Sequence, residues 1–519
     1  MFQVNGKPFI MLAGEAHNSS SSSPAAIAQV FDKALELRLN SVLMPVTWEL
    51  LEPEESQFDF TPVDTLLFEA RKRGLKLGLL WFGAWKNAQC FYAPPWVKVD
   101  LDRFHRAQPV KGRNKLALPM FHGMEYTSLS AFCEETLKAD CRTFATLMEH
   151  LRAIDALEQT VVYVQVENET GLQGAVREHS DAADALFAAD VPQAFADYMR
   201  GPAFDTLRQD VRDAVKAGKP SGSWEAVFGE QAEEIFQAYY VASYVNVVAA
   251  AGKRAYDLPM AVNAWLEINE PGNYPSGGPI GKMLEVWKYC APQIDIFCPD
   301  IYVRYFCDVC DEFHRPDNPL FIPETAAHSH AGPRLLYTIG HHHAWGFAPF
   351  GFEEIGGVFS AGLGTLFGMD TTDPLLSTQQ DAKEYAWYNA TLHELTPLLA
   401  PRYGTEALQA VIGERPDEDT MHFGKYAFRI VMDSPALTRK DSACLALQIA
   451  EDEFFLIAVA CQIRSMSNDA DKPNVDILIL EDGEYRNGQW LPLHRLNGDE
   501  ASMLYEVPTL LRVKLFRYN

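Results

Sequence analysis

Two acidic residues in this sequence stand where carboxylates can do chemistry. Glu169 follows Asn168 in VVYVQVENETG, Val161 to Gly171, and Glu324 follows Pro323 in NPLFIPET, Asn318 to Thr325. Each comes at the end of an apolar run, so each would sit at the C-terminal tip of a buried parallel strand, where loops open to solvent. Two such carboxyl groups can cleave a glycosidic bond: one protonates the leaving oxygen while the other attacks the anomeric carbon, the pair lying about 5–5.5 Å apart in the retaining variant. Their pKa values must then be pushed apart, so that one stays protonated near neutrality. The plainer alternative is that Glu167 and Glu169 are solvated charges opening an ordinary loop.

The elements that would position these residues recur with a strand-plus-helix period. KPFIMLAG (7–14) reads as a first strand, followed by a helix from Pro24 to Leu37 with proline in its first turn. SVLMPV (Ser41 to Val46) is a second strand and LKLGLLW a third, with a helix from Pro62 to Arg73 between them. The segment from Phe91 to Tyr126 has no clean period and reads as a long βα loop. A helix from Ser128 to Ile154 leads into strand four, and a helix from Trp224 to Ala251 leads into LPMAVNAW, strand five. IDIFCPDIY (Ile294 to Tyr302), NPLFIPET and WGFAPFGFEE (Trp345 to Glu354) supply strands six to eight, and a last helix runs from Thr378 to Leu395. Eight strands alternating with helices predict an α/β fold, a (β/α)8 TIM barrel over residues 1–397. After PLLAPRYG the pattern changes to short alternating strands with turns expected at Asp482-Gly483 and Asn487-Gly488, which predicts an antiparallel β-sandwich domain over 398–519.

Bulk properties narrow the function classes. The 519 residues carry a formal net charge of −26, which argues against nucleic-acid or anionic-membrane partners and fits a neutral substrate. Nine cysteines, an odd number, give no closed disulfide framework, and Cys307 and Cys310 form a lone CxxC without a second pair. MFQVNGKPF enters a polar turn at once, and no apolar run approaches the ~20 residues of a membrane span, so a cytoplasmic protein is expected, although a trimmed secreted chain would read the same. His328, His330, His341, His342 and His343 are read as lying around the seventh barrel helix, away from the strand tips, in solvated or helix-capping roles rather than as metal ligands.

The NE after strand four, PDIY on strand six and PET on strand seven resemble the large clan of retaining (β/α)8 glycosidases. Within it, VNGKPFIMLAGEAHNSS, NSVLMPVTWELLEPEESQFDF and YVQVENETG are similar to glycoside hydrolase family 35, the β-galactosidase family, and the C-terminal β-domain is similar to one in a bacterial branch of that family acting on plant-type oligosaccharides. The resemblance covers essentially the whole barrel. It implies Glu169 as general acid/base, Glu324 as nucleophile, Asn168 bonding the sugar 2-hydroxyl, and Tyr302 donating to the nucleophile. Glu52, in WELLEP, matches the glutamate of the family's WxxHEP motif with Leu51 in place of histidine; it would bind sugar hydroxyls or pair with a barrel charge. The family's AEW motif on strand three, whose glutamate grips galactose, is absent: Trp85, Lys86 and Asn87 of WFGAWKN stand there as substrate-binding candidates. Trp85 and Trp265 are read as stacking platforms for a sugar face or as core packing.

The leading expectation is therefore an exo-β-galactosidase releasing terminal β-linked galactose from oligosaccharides by double displacement, with no cofactor or metal implied. A retaining glycosidase for glucosamine, glucose or xylose and a catalytically silent carbohydrate-binding barrel are the alternatives. The C-terminal domain is read as a stabiliser of the barrel, a homo-oligomer contact or a cap on a neighbouring subunit's site.

Overall fold

A computed structural model describes residues 1–117, 125–328, 330–358, 372 and 378–519; positions 118–124 of the expected long loop lie outside them. Eight apolar runs form the strands β1 (Met11–Glu15), β2 (Ser41–Thr47), β3 (Lys76–Phe82), β4 (Val161–Val166), β5 (Met260–Trp265), β6 (Ile296–Ile301), β7 (Ile322–Ala326) and β8 (Gly346–Phe350). They close into a barrel in the order β1-β2-β3-β4-β5-β6-β7-β8. Nearly every strand residue is buried, as befits parallel strands covered on one side by helices and filled on the other by side chains. The helices α1 (Pro24–Glu36), α2 (Thr61–Arg73), α3 (Glu134–Asp155), α4 (Ala232–Ala255), α5 (Leu284–Cys290), α6 (Phe306–Phe313), α7 (Ala331–Gly340) and α8 (Ala382–Leu399) connect or follow them. The single helix expected from Trp224 to Ala251 is instead two, because Gly229 at φ +53° ends a short helix at Phe228. Among the described residues no helix is long and apolar enough to cross a membrane.

The chain divides into two compact units. One holds Asn18–Gln29 and Leu43–Ile301. In it β3, β4, β5 and β6 pair in parallel, with Trp81 opposite Val166, Gln165 opposite Ala261 and Asp300 opposite Trp265, so β3 and β4 end level with each other while β5 and β6 run further. Long helices α3 and α4 pack along one another behind them.

The other unit holds Met1–His17, Val30–Val42 and Tyr302–Asn519. Here β7, β8 and β1 pair in parallel, and Phe2 of an N-terminal hairpin sets its ring edge-on against Phe321 and Trp345. The C-terminal strands are β9 (Leu408–Ile412), β10 (Thr420–Phe423), β11 (Tyr426–Val431), β12 (Ala443–Ala450), β13 (Glu453–Val459), β14 (Cys461–Ser467), β15 (Asn474–Arg486), β16 (Gln489–Arg495), β17 (Leu504–Tyr505) and β18 (Thr509–Tyr518). They form a six-stranded antiparallel sheet, β9-β12-β13-β18-β15-β16, and a four-stranded one, β10-β11-β14-β17. Phe423, Phe428 and Ile463 from the smaller sheet share one buried core with Phe454, Leu456 and Val513 from the larger. Asn487 and Gly488, both at positive φ, make the expected hairpin turn. Asp482-Gly483 does not turn; it lies inside β15 at a bulge, where a Cβ on Gly483 would meet Leu491 O at 2.3 Å.

Glu414, just past β9, ties the sandwich to α7. Its carboxylate accepts Arg334 Nε at 2.8 Å and Arg334 Nη2 at 3.0 Å, and contacts His330 Nδ1 at 2.9 Å. Arg334 Nη1 also reaches His328 Nε2 at 3.3 Å. The sequence expectation for these histidines needs correcting: His328 and His330 are buried around this ion pair, His342 is buried too, and His330, though at the N-cap position of α7, makes no side-chain capping bond. Burial pushes the Glu414 carboxyl up, but Arg334 and His330 outweigh it and bring it down to about 2. A buried pair robbed of one partner typically loses about 3–5 kcal/mol, and Glu414→Gln is expected to lower the free energy of urea unfolding by that order. Because the folded carboxyl titrates lower than the unfolded one, the stabilisation is present above the usual carboxylate range and is lost as pH falls through about 2. The difference between wild type and variant should therefore shrink over that acidic window, and a pH-independent difference would contradict the ion-pair account.

Candidate active site

The polypeptide leaves β4 in a strained turn. Glu167 has φ +62° and Glu169 φ +45°, a region that non-glycine residues seldom occupy and that clusters at functional sites. Opposite lies the turn after β3, where Lys86 and Gln89 bond through N–H to O contacts of 2.8 and 3.0 Å and the central residues Asn87 and Ala88 both have positive φ, as a type I′ turn requires.

The two turns are laced together. Glu167 Oε2 accepts the backbone N–H of Trp85 at 2.7 Å, and the N–H of Asn168 returns to Trp85 O at 3.2 Å. Asn87 N donates to Asn168 Oδ1 at 3.3 Å, and Asn87 Nδ2 donates to Glu169 Oε2 at 2.6 Å. The N–H of Glu169 reaches Asn263 Oδ1 on β5 at 3.0 Å, and Asn263 Nδ2 donates to Asp300 Oδ2 on β6 at 2.7 Å. Four consecutive strand ends thus hold one carboxylate and its neighbour, and both Asn168 and Glu169 are buried. Asn168 Nδ2 is enclosed and has no acceptor among the described residues.

Beneath this lacing a second carboxyl group is shut inside. Glu167 and Asp140, on α3, are both fully buried, and Asp140 accepts from Trp81 Nε1 and from the Tyr244 hydroxyl, each at 3.0 Å. Burial, with the Asp140 charge adding to it, pushes the Glu167 carboxyl well above its usual range.

In the other unit Glu324 sits on β7, buried, with the Tyr302 hydroxyl donating to its Oε1 at 2.6 Å. Its second oxygen, Oε2, is enclosed without a donor among the described residues. At the ends of β1 and β8, His17 donates its backbone N–H to Glu353 at 3.1 Å, and its Nε2 lies 3.1 Å from Glu354.

Two sequence candidates are corrected by these contacts. Glu52 is fully buried, and its oxygens accept Trp48 Nε1 at 2.9 Å, Ser56 N at 2.7 Å, Arg142 Nη2 at 2.6 Å and the Thr143 hydroxyl, so no lone pair faces a ligand. Trp85 is also interior: its indole N–H goes to Ser128 Oγ at 2.9 Å and its ring stands edge-on to Tyr244, with centroids 4.6 Å apart. It is core packing, not a platform. Lys86 is buried with its ammonium over the Phe82 ring, and Trp265 is half-buried at the end of β5. Asp311, His341 and His342 bring three ligand atoms within 4.8 Å of one another, but the Arg415 guanidinium already pairs with Asp311 and occupies the cation's role there.

Sequence reading passed over Asn263, Asp300, Glu167 and Asp140 as parts of the site. A polar side chain inside LPMAVNAW and the aspartate of PDIY were visible signals for the first two. Asp140, one carboxylate on a long helix, carried none.

A family model described as "Domain of unknown function (DUF5597)" matches residues 385–508. No curated protein matches. Among solved structures, the chain is similar to a β-galactosidase from Bacillus circulans sp. alkalophilus at 13% identity, over 75% of this chain and 57% of that one, with a TM-score of 0.48. It is similar to a cold-adapted β-galactosidase from Rahnella sp. R3 at 16% identity, over 75% and 57%, with a TM-score of 0.47. The catalytic domain of a β-amylase from Paenibacillus polymyxa aligns at 11% identity over 70% of this chain and 98% of its own, with a TM-score of 0.46. The chain spans less than two thirds of the length of the two β-galactosidase chains.

Proposed function

We propose that this protein is a retaining glycoside hydrolase, an exo-β-galactosidase that releases terminal β-linked galactose from oligosaccharides, with Glu169 as general acid/base and Glu324 as nucleophile. The observation that carries the reading is which polar atoms are left without partners. Among the described residues, Asn168 has its side-chain carbonyl tethered by Asn87 and its NH2 enclosed and unpaired; Glu324 has one oxygen held by Tyr302 and the other without a donor. A buried polar atom without a partner is costly unless a ligand completes it. These are the two atoms that double displacement uses, one to bond the sugar 2-hydroxyl and one to attack.

In the first step Glu324 Oε2 attacks the anomeric carbon while Glu169 gives its proton to the departing oxygen, forming a glycosyl ester. Tyr302 keeps Oε1 bonded and so fixes which oxygen attacks. In the second step Glu169, now a carboxylate, takes a proton from water, and the water displaces Glu324 with overall retention. Asn87 Nδ2 donates to Glu169 Oε2 and so helps to hold that carboxyl group in place.

In the place of the glutamate that grips galactose in the family resembled, Asn87 bonds the acid/base instead, and Glu52 is sealed by its own donors. A β-glycosidase for another sugar is therefore the second reading, and hydrolysis of a panel of aryl β-glycosides, with the anomer of the released sugar followed by NMR, separates the two. Initial β-galactose supports the first; β-anomer of another sugar supports the second; α-anomer would refute retention.

Glu324→Ala and Glu169→Ala are each expected to lose several kcal/mol of transition-state stabilisation, a fall of about 10³-fold or more in kcat/KM on a natural glycoside. Wild-type turnover in both would dismiss the assignment. Asn87→Ala is expected to slow glycosides with poor leaving groups by about tenfold and activated aryl glycosides much less, because only the former need a well-placed acid. Equal slowing of both classes would place Asn87 in sugar binding rather than in acid placement.

A further inference from the structure

We propose that Glu167 is a carboxylic acid that remains protonated at neutral pH, donates its proton to the Asp140 carboxylate, and positions the acid/base turn through its bond from Trp85 N. The last clause rests on the hydrolase reading; the first two stand on geometry alone.

The donors around the four carboxyl oxygens decide where the proton sits. Asp140 Oδ1 accepts the Trp81 indole N–H and Oδ2 accepts the Tyr244 hydroxyl. Glu167 Oε2 accepts Trp85 N, Oε1 is enclosed without a well-formed hydrogen bond among the described residues, and the Ala84 N–H faces both carboxyl groups alike. The group beside that oxygen is the Asp140 carboxyl itself. A Cβ built on Gly83 would lie 2.6 Å from Glu167 Oε1 and 2.8 Å from Asp140 Oδ1, so both oxygens converge on a point that only glycine leaves open. Two ionised carboxylates meeting there, closed from water, would repel strongly. One proton turns the same contact into a charge-assisted O–H to O⁻ hydrogen bond, among the strongest that a protein makes. Asp140, with donors on both oxygens, is the better anion, and the proton belongs on Glu167.

The other groups facing the pair do not supply a compensating charge. From α3 comes Cys141 and from α4 Tyr244; burial pushes both up, so both are neutral. From β3 comes only the indole of Trp81. Neither carboxyl has an ion-pair partner among the described residues. The dyad therefore keeps a single negative charge below the acid/base turn, and that turn hangs on Glu167 through the Trp85 peptide, whose carbonyl in turn accepts Asn168 N.

Infrared difference spectroscopy on the full-length protein tests the proton directly, without any substrate. Wild type minus Glu167→Gln at neutral pH should show the C=O stretch of a protonated, hydrogen-bonded carboxyl group; its absence would overturn the proposal. Activity tests the positioning. Glu167→Ala frees the Trp85 peptide and is expected to lower kcat about 100-fold, the usual cost of misplacing a reacting group. Gln at 167, whose NH2 can donate to Asp140 while its oxygen accepts Trp85 N, should recover most of that loss. Asp140→Asn instead turns an amide donor toward Trp81 or Tyr244 and should stay impaired by about tenfold. Recovery at 140 but not at 167 would place the proton on Asp140, and failure of both amides would rule out a shared proton; either overturns the assignment. Wild-type kcat in Glu167→Ala would remove the positioning role. A carboxylic-acid band in a protein that cleaves no glycoside would leave the dyad standing and sink the hydrolase reading alone.

Discussion

The peptide of Trp85 is gripped from both ends by the strand beside it. Its N–H meets the Glu167 carboxyl and its carbonyl meets Asn168 N. The positions of Asn87, Asn168 and Glu169 are referred to that clamp. Because the residues on either side are fixed, Asn87 two positions on can reach both Asn168 and Glu169, and Glu169 in turn reaches Asn263. Parallel strand pairing alone aligns backbones to a fraction of a strand spacing; the clamp converts that alignment into side-chain placement, which is what proton transfer requires.

The barrel was legible because its strands are buried on both faces, and such strands read as unbroken apolar runs with turn residues between them. Glu324 stood out for the same reason, as the first charge after a stretch that tolerates none, and Glu169 as one of the two charges, with Glu167, that end the run of β4. Glu52 and Trp85 were not. Their neighbours along the chain say nothing about Arg142 and Thr143 on α3, which reach Glu52, or about Ser128 and Tyr244, which enclose the Trp85 indole. A residue type and its place on a strand are local facts, whereas the donors that saturate a carboxylate come from tens of residues away. Asp140 shows the limit most clearly: on a helix that also carries Glu134, Glu135, Glu149 and Asp155, one more acidic residue reads as a surface charge until the Trp81 and Tyr244 donors are in view.

The sandwich domain bears on the site from its own side. Glu414 meets Arg334 in a buried pair, and Arg334 also reaches His328, four residues past Glu324, and the carbonyl of Val303, next to Tyr302. The loop that follows β7, which carries Glu324, and the loop that carries Tyr302 are thereby referred to one guanidinium, whose counter-ion is supplied by the sandwich. A domain that only carried substrate would have no reason to place an anion there. The bulge at Asp482-Gly483 belongs to the same economy of shape: it bends a long strand within the larger sheet instead of ending it, which lets β15 pair with both β16 and β18.

Strain decides how far the clamp matters. Glu167, Glu169, Asn87 and Ala88 all hold positive φ, and non-glycine residues in such regions each cost on the order of 1–3 kcal/mol. A solvated loop would relax out of that geometry, because water satisfies its backbone equally well in an unstrained form. Here the competing donors and acceptors are buried, where leaving even one unpaired costs about as much as the strain at one residue. Relaxing any of the four would unpair Trp85 N, Asn168 Oδ1 or Glu169 Oε2, so the strained turns support one another. Glu169 is thus held in one geometry, and under the proposed role as acid/base preorganisation of that kind would lower a barrier because no reorganisation is left to perform in the transition state.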